Sequence, residues 1–186
     1  MKKGFNYKEN RPNKDKIREK LIECILKYKP KKILTLESPK FEMVKRLPQV
    51  KFLIYEKDYK IFKRMQKSKS KYKNIILLKR GNVIRFKSDK DRADIIYLDF
   101  CGTLSGEKDN ILALKEKIKV CKLFVVTFSA HEPRQKFDGI SNFYISIPGR
   151  LQKILNMRLD IIFGESYDDT SPMVTIGFIP FADRSV

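Results

Sequence analysis

The stretch Ala93-Asp-Ile-Ile-Tyr-Leu-Asp-Phe-Cys-Gly-Thr-Leu-Ser105 decides the fold. Its first eight residues, Ala93 to Phe100, form a largely apolar run of strand length that starts beside one carboxylate, Asp94, and carries another, Asp99, almost to its end. Cysteine and glycine follow at once, where a strand should open into a loop. Similar runs recur on both sides of it. KKILTLES (Lys31 to Ser38), KFLIYEKD (Lys51 to Asp58), NIILLKRGN (Asn74 to Asn82) and KLFVVTFSA (Lys122 to Ala130) read as further strands. These runs are nearly continuous in apolar residues, as in a parallel sheet covered on both faces.

Helical patterns separate the strands. Ile17, Leu21, Ile22, Ile25 and Leu26 fall on one helical stripe, with Asn13 or Asp15 as its cap and Pro30 as its stop. FEMVKRL (Phe41 to Leu47) reads as a short helix ended by Pro48. YKIFKRMQKSKSKY (Tyr59 to Tyr72) reads as a basic helix, and NILALKEKIKVC (Asn110 to Cys121) as another. After a helix near Ile147 to Asn156, the tail RLDIIFGESYDDTSPMVTIGFIPF offers two strands around a polar turn, an antiparallel pair at the end of the sheet. The expectation is an α/β fold: a doubly wound, mostly parallel seven-stranded sheet with helices on both faces and an antiparallel C-terminal strand pair. One domain suffices for 186 residues, with residues 1–30 a basic arm and helix belonging to the same unit as the α/β body at 31–186.

The net charge is +19, from 41 Lys and Arg against 22 Asp and Glu, which speaks to partners rather than fold. Nucleic acid is the first candidate, because each phosphate neutralised by a cation releases counterions. An anionic membrane surface is the second. Cys24, Cys101 and Cys121 are odd in number and widely spaced, and His131 is the single histidine, so neither a disulfide framework nor a zinc site is expected. Cys101 reads as a packing residue and His131 as a loop residue. A reducing, cytoplasmic setting fits. The polar N-terminus leads into no apolar segment of signal-peptide type, and no run is long enough to cross a bilayer.

Ligands of open α/β sheets bind outside the carboxyl ends of the strands. Those ends carry Glu37-Ser38, Glu56-Lys57-Asp58, Arg80-Gly81-Asn82, Asp99-Phe100 and Thr127-Phe128-Ser129. Each also has a plainer reading: Asp99 as a cap of the following turn, Glu56 as a solvated terminus, Asn82 as a turn residue beside Gly81. Glu56 lies 19 residues after Glu37, near the spacing at which an acid binds a ribose in nucleotide folds.

In their order these strand ends resemble the class I S-adenosylmethionine-dependent methyltransferases over roughly Lys31 to Phe181. YLDFCG (Tyr97 to Gly102) looks like that family's fourth motif, IYEKD (Ile54 to Asp58) like its second, and RGNV (Arg80 to Val83) like its third. YDDTSPM (Tyr167 to Met173) is similar to the turn between its last two strands. The resemblance implies S-adenosylmethionine as cofactor. It implies Leu36, Glu37, Ser38, Glu56, Lys57, Asn82 and Asp99 around that cofactor, with Asp99 and Phe100 at the reacting centre. Two motifs depart from the pattern. The first is LTLESPKFE (Leu34 to Glu42), without the usual glycines, and the fourth lacks the proline pair.

From Lys57 to Lys90 there are thirteen cations against Asp58 and Asp89, densest at Lys63, Arg64, Lys67, Lys69, Lys71 and Lys73. This resembles a footprint for a phosphate backbone, with Tyr72 available for stacking, or else a solvated helix face. The expected function is methyl transfer to DNA or RNA, with a homodimer or partner subunit supplying specificity. The alternatives are a catalytically inactive nucleic-acid-binding module of the same fold and a small-molecule methyltransferase.

Overall fold

The computed structural model describes residues 12–83, 92–100, 102–129, 140–168 and 172–181. Its centre is a seven-stranded sheet: β1 (Lys32–Thr35), β2 (Lys51–Glu56), β3 (Ile75–Arg80), β4 (Ile95–Asp99), β5 (Leu123–Ser129), β6 (Arg158–Asp168) and β7 (Pro172–Phe181), in the order 3-2-1-4-5-7-6. The first five strands run parallel to one another, and β7 runs antiparallel between β5 and β6. The α/β expectation, including the antiparallel C-terminal pair, matches this sheet.

The helices are α1 (Pro12–Lys27), α2 (Glu42–Arg46), α3 (Tyr59–Lys69), α4 (Leu104–Ala113), α5 (Lys115–Ile118) and α6 (Ile140–Leu155). They divide between two apolar layers. Leu21, Ile25, Phe41, Val44 and Met65 pack with Ile33, Phe52 and Ile95 in one layer. Leu104, Ile111, Ile118, Leu151 and Leu155 pack with Leu98, Phe124 and Val126 in the other. Successive strand residues alternate between these layers, which is why continuous apolar runs were needed. Asp94 pins β4 to β1 from below: Oδ2 accepts from the backbone N–H of Lys31 and of Lys32 at 2.8 and 3.0 Å.

Several boundaries differ from the sequence expectation. α1 begins at Pro12, so Asn13 and Asp15 lie inside its first turn, where proline's fixed φ is favourable. Leu26 is exposed, and Cys24 takes its place on the buried stripe. The helix expected at Asn110 to Cys121 starts six residues earlier, at Leu104, because the Thr103 side chain accepts the Gly106 N–H at 3.2 Å and caps it. It then breaks at Leu114 before α5. α6 also begins earlier than Ile147 and contains Pro148. β1 stops at Thr35, so Glu37 and Ser38 belong to the following loop. The arm before Pro12, Arg85, Lys87, Lys90, Cys101, His131 and the turn at 169–171 lie outside the described residues. Among the described residues, no helix is long and apolar enough to cross a membrane and no metal-binding cluster occurs. Cys24 and Cys121 are buried thiols, and burial pushes Cys121 up to about 12.

Candidate active site

The strand order reverses direction between β1 and β4, the crevice where open α/β sheets bind ligands. Two carboxylates flank that crevice. Asp99 closes β4, and Glu37 sits in the loop after β1.

Glu37 reaches across its loop and accepts the Met43 N–H at 3.1 Å. That contact satisfies an orphan donor in the first turn of α2, which has no capping side chain at Phe41. Phe41 adopts a left-handed conformation, φ 52°, with its ring fully buried against Tyr72. Leu36 packs partly against the core. The Ser38 carbonyl receives the Phe41 N–H at 3.0 Å, and Ser38 Oγ receives that of Lys40 at 3.3 Å. The glycine-free loop thus turns by side-chain and backbone hydrogen bonds ending in a strained residue.

Although part of Glu37 reaches solvent, loss of hydration pushes its carboxyl up to about 8; the Met43 N–H opposes the rise and the Asp99 charge adds to it. A carboxyl with a raised folded-state value holds a proton that the unfolded chain releases at about pH 4.3. Stability therefore falls as pH rises from about 5 through about 8. Glu37→Gln is expected to flatten that fall, measured as melting temperature against pH; parallel curves for variant and wild type would contradict the assignment.

Asp99 has a side-chain exposure of 29% and lies 4.0 Å from Lys14 Nζ, its one ion-pair partner among the described residues. It does not cap α4, a role held by Thr103. Its carboxylate remains available at the rim. Phe100 is a core residue, 5% exposed and stacked on Phe128 with centroids 5.7 Å apart. Beneath Asp99, burial raises the phenol of Tyr97 well above its ordinary value, as does the Asp99 charge; Thr127 bonds Tyr97 and, at 2.9 Å, Thr175.

Glu56 ends β2, half-buried. Its Oε1 accepts the Asp58 N–H at 2.6 Å, while Asp58 caps α3 through the Ile61 N–H at 2.9 Å. Burial raises the Glu56 carboxyl above its usual range. Lys57 beside it is exposed. Gly81, φ 143°, uses backbone freedom that other residues lack, and its N–H reaches the Glu56 carbonyl at 2.9 Å. Asn82 follows and donates to Asn110 Oδ1 at 2.7 Å, which joins it to α4.

Sequence reasoning found α1 but not its place at the site. Its first turns lie over the rim, bringing Lys14 to Asp99 and placing Arg18 where its charge favours ionised Glu37. Ile17 packs with Tyr167 and Met173, and Lys20 pairs with Glu165 at 2.5 Å. Lys14, Arg18 and Tyr97 line a cavity of about 20 Å³ here. The sequence signal was limited to the apolar stripe, which shows that α1 docks but not against which strands.

The N-methyltransferase NodS of Bradyrhizobium japonicum, solved with S-adenosyl-L-homocysteine, superposes with a TM-score of 0.65 at 11% identity, over 92% of this chain and 89% of that one. The chain has the class I methyltransferase fold. The methyltransferase domain of the bacterial protein CtHen1-CN is similar over 89% of this chain and 98% of its own, at 11% identity and a TM-score of 0.59. A candidate tRNA (m1A22) methyltransferase, Sp1610 of Streptococcus pneumoniae, matches over 90% of this chain and 72% of its own, at 12% identity and a TM-score of 0.58. No family model and no curated protein matches the sequence. Within the methyltransferase fold, Asn82, Glu56, Glu37 and Asp99 follow four adjacent strands in the order β3, β2, β1, β4. A diol and an ammonium group suit carboxylate partners of this kind, so the donor set fits an adenosyl amino acid.

Proposed function

We propose that this chain binds S-adenosylmethionine along the ends of β3, β2, β1 and β4 and methylates a nucleic acid. The observation that carries the reading is the placement of Glu37 and Asp99 on either side of the switch point, with Glu56 on the next strand. Glu56 would hold the ribose hydroxyls, Asn82 and Lys57 the base end, and the loop of Leu36, Glu37 and Ser38 the amino-acid end. The bound cofactor supplies an activated methyl group on a sulfonium. Asp99 would accept a hydrogen bond from the amine or hydroxyl to be methylated, aim its lone pair and take up the proton released. Lys14 Nζ stands 4.0 Å from the Asp99 carboxylate, and Phe100, stacked in the core, holds the end of β4 in place. The net charge of +19 and the likeness to the candidate tRNA enzyme support a nucleic-acid acceptor.

Glu56→Ala is expected to weaken S-adenosylmethionine binding by about 10- to 100-fold, the loss of one or two charge-assisted hydrogen bonds. Calorimetric titration measures it, and an unchanged dissociation constant would refute the ribose assignment. Mass spectrometry of nucleosides from RNA and DNA incubated with protein and cofactor identifies the acceptor.

A second reading rests on the loop after β1. No glycine occurs between Gly4 and Gly81, and the Glu37 carboxyl is engaged with α2. A chain in which this loop excludes the cofactor would be a nucleic-acid-binding module of the same fold. The two readings separate on cofactor binding alone.

A further inference from the structure

Outside the rim, one surface combines an exposed aromatic ring with unpaired positive charge. Tyr59, the first residue of α3, is 51% exposed, whereas α3 anchors itself to the core through the buried Met65. Two cations stand against the Tyr59 ring: Arg80 from the end of β3, with Cζ 4.8 Å from the centroid, and Lys63, with Nζ 5.6 Å from it. The ring is thus held in place at the surface without being covered.

From Tyr59 to Arg80 the sequence contains no acidic residue, and no cation of this segment forms an ion pair among the described residues. A helix face that is basic only for solubility commonly interleaves acids three or four residues away. α1 does this, pairing Arg18 with Asp15 three residues before it. The cations of α3 and the turn after it instead repel one another, a cost that a polyanion relieves.

The location adds a direction. β3 is an edge strand, and Arg80 lies in register with Glu56. Asp99 is on the strand three places away, about 14 Å across the sheet. A chain of nucleotides anchored at Tyr59 would therefore reach the reacting carboxylate within a few residues.

We propose that Tyr59, Arg80 and Lys63 form the anchor for an unpaired nucleic-acid strand. One base continues the Tyr59–Arg80 stack, the α3 lysines neutralise the phosphates, and a nucleotide a few positions along is presented at Asp99. A base inside a duplex has no free face for such a stack, so the acceptor is single-stranded or looped. This inference rests on the nucleic-acid reading above and refines its substrate class.

The test is fluorescence anisotropy of the full chain, without cofactor, against a labelled single strand of about 20 nucleotides, longer than one single-strand site. The same sequence as a duplex and vesicles of anionic phospholipid serve as competitors. Tyr59→Ala is expected to weaken single-strand binding by about 5- to 100-fold, the loss of one base stack. Tyr59→Phe should keep wild-type affinity, which separates stacking from misfolding. The double variant Lys67→Gln, Lys71→Gln should flatten the slope of log affinity against log salt by about 1.4. Unchanged affinity in Tyr59→Ala, or a duplex bound as tightly as the single strand, would overturn the proposal. So would competition by vesicles but not by duplex or unlabelled strand. Because the assay contains no cofactor, a chain that fails to bind S-adenosylmethionine can still pass it. Cofactor binding without Tyr59-dependent strand binding would sink this inference alone.

Discussion

Asp99→Ala is expected to lower methyl transfer by about 10²- to 10⁴-fold, the range typical for removal of a positioned proton acceptor. Cofactor affinity should change little, because Glu56 and the loop after β1 remain. The reasoning is geometric. The Asp99 carboxylate lies at the end of β4 beside the switch point, and α4 does not need it, since Thr103 supplies the cap. Its one ion-pair partner among the described residues is Lys14 at 4.0 Å, a loose pair that leaves room for an acceptor group. Asp99→Asn keeps a hydrogen-bond acceptor but loses the capacity to take a proton, so it should recover part of the orientation effect only. Turnover by Asp99→Ala at the wild-type rate, measured with labelled methyl donor, would remove Asp99 from the mechanism.

Phe128→Ala should produce the largest loss of stability, about 3–5 kcal/mol, as a fully buried aromatic is replaced by a cavity. Phe128 lies on β5 opposite Val174 of β7 and stacks on Phe100, the residue after Asp99. Its loss therefore acts twice: it opens the apolar layer that Phe128 shares with Leu151 and Leu155 of α6 and loosens the support of the Asp99 carboxylate. Urea denaturation with an unchanged slope and a lower midpoint measures the first effect. A further fall in turnover, at temperatures where the variant stays folded, measures the second. A cost below about 1 kcal/mol would mean that the site collapses to fill the space.

The sheet was legible in the sequence because both of its faces are covered. Strands such as Ile95–Asp99 and Leu123–Ser129 must then be apolar throughout, and their polar residues mark the ends. That is how Asp99, Glu56 and Asn82 could be placed at or just after strand ends without coordinates. Helix boundaries were less legible. Thr103 caps α4 through a single hydroxyl, a weaker signal than the apolar residues downstream that drew the expected start to Asn110. The loop after β1 was read as a glycine-poor turn, but its solution was not visible: Glu37 turns back to α2, and Phe41 accepts a left-handed backbone because its ring is buried. Lys14 escaped notice because its meeting with Asp99 spans 85 residues of sequence and depends on how α1 crosses the sheet. The basic segment was legible as charge, whereas the pairing of Tyr59 with Arg80 requires β3 to return beside α3.

The central claim is that four neighbouring strand ends form a site for S-adenosylmethionine despite the missing glycines. Calorimetric titration of the purified chain with S-adenosylmethionine and S-adenosylhomocysteine tests it most directly. The account predicts saturable binding near micromolar, about −8 kcal/mol, weakened in Glu56→Ala. No heat of binding at millimolar cofactor, with nucleic acid absent and then present, would contradict it and leave the fold as a nucleic-acid-binding module.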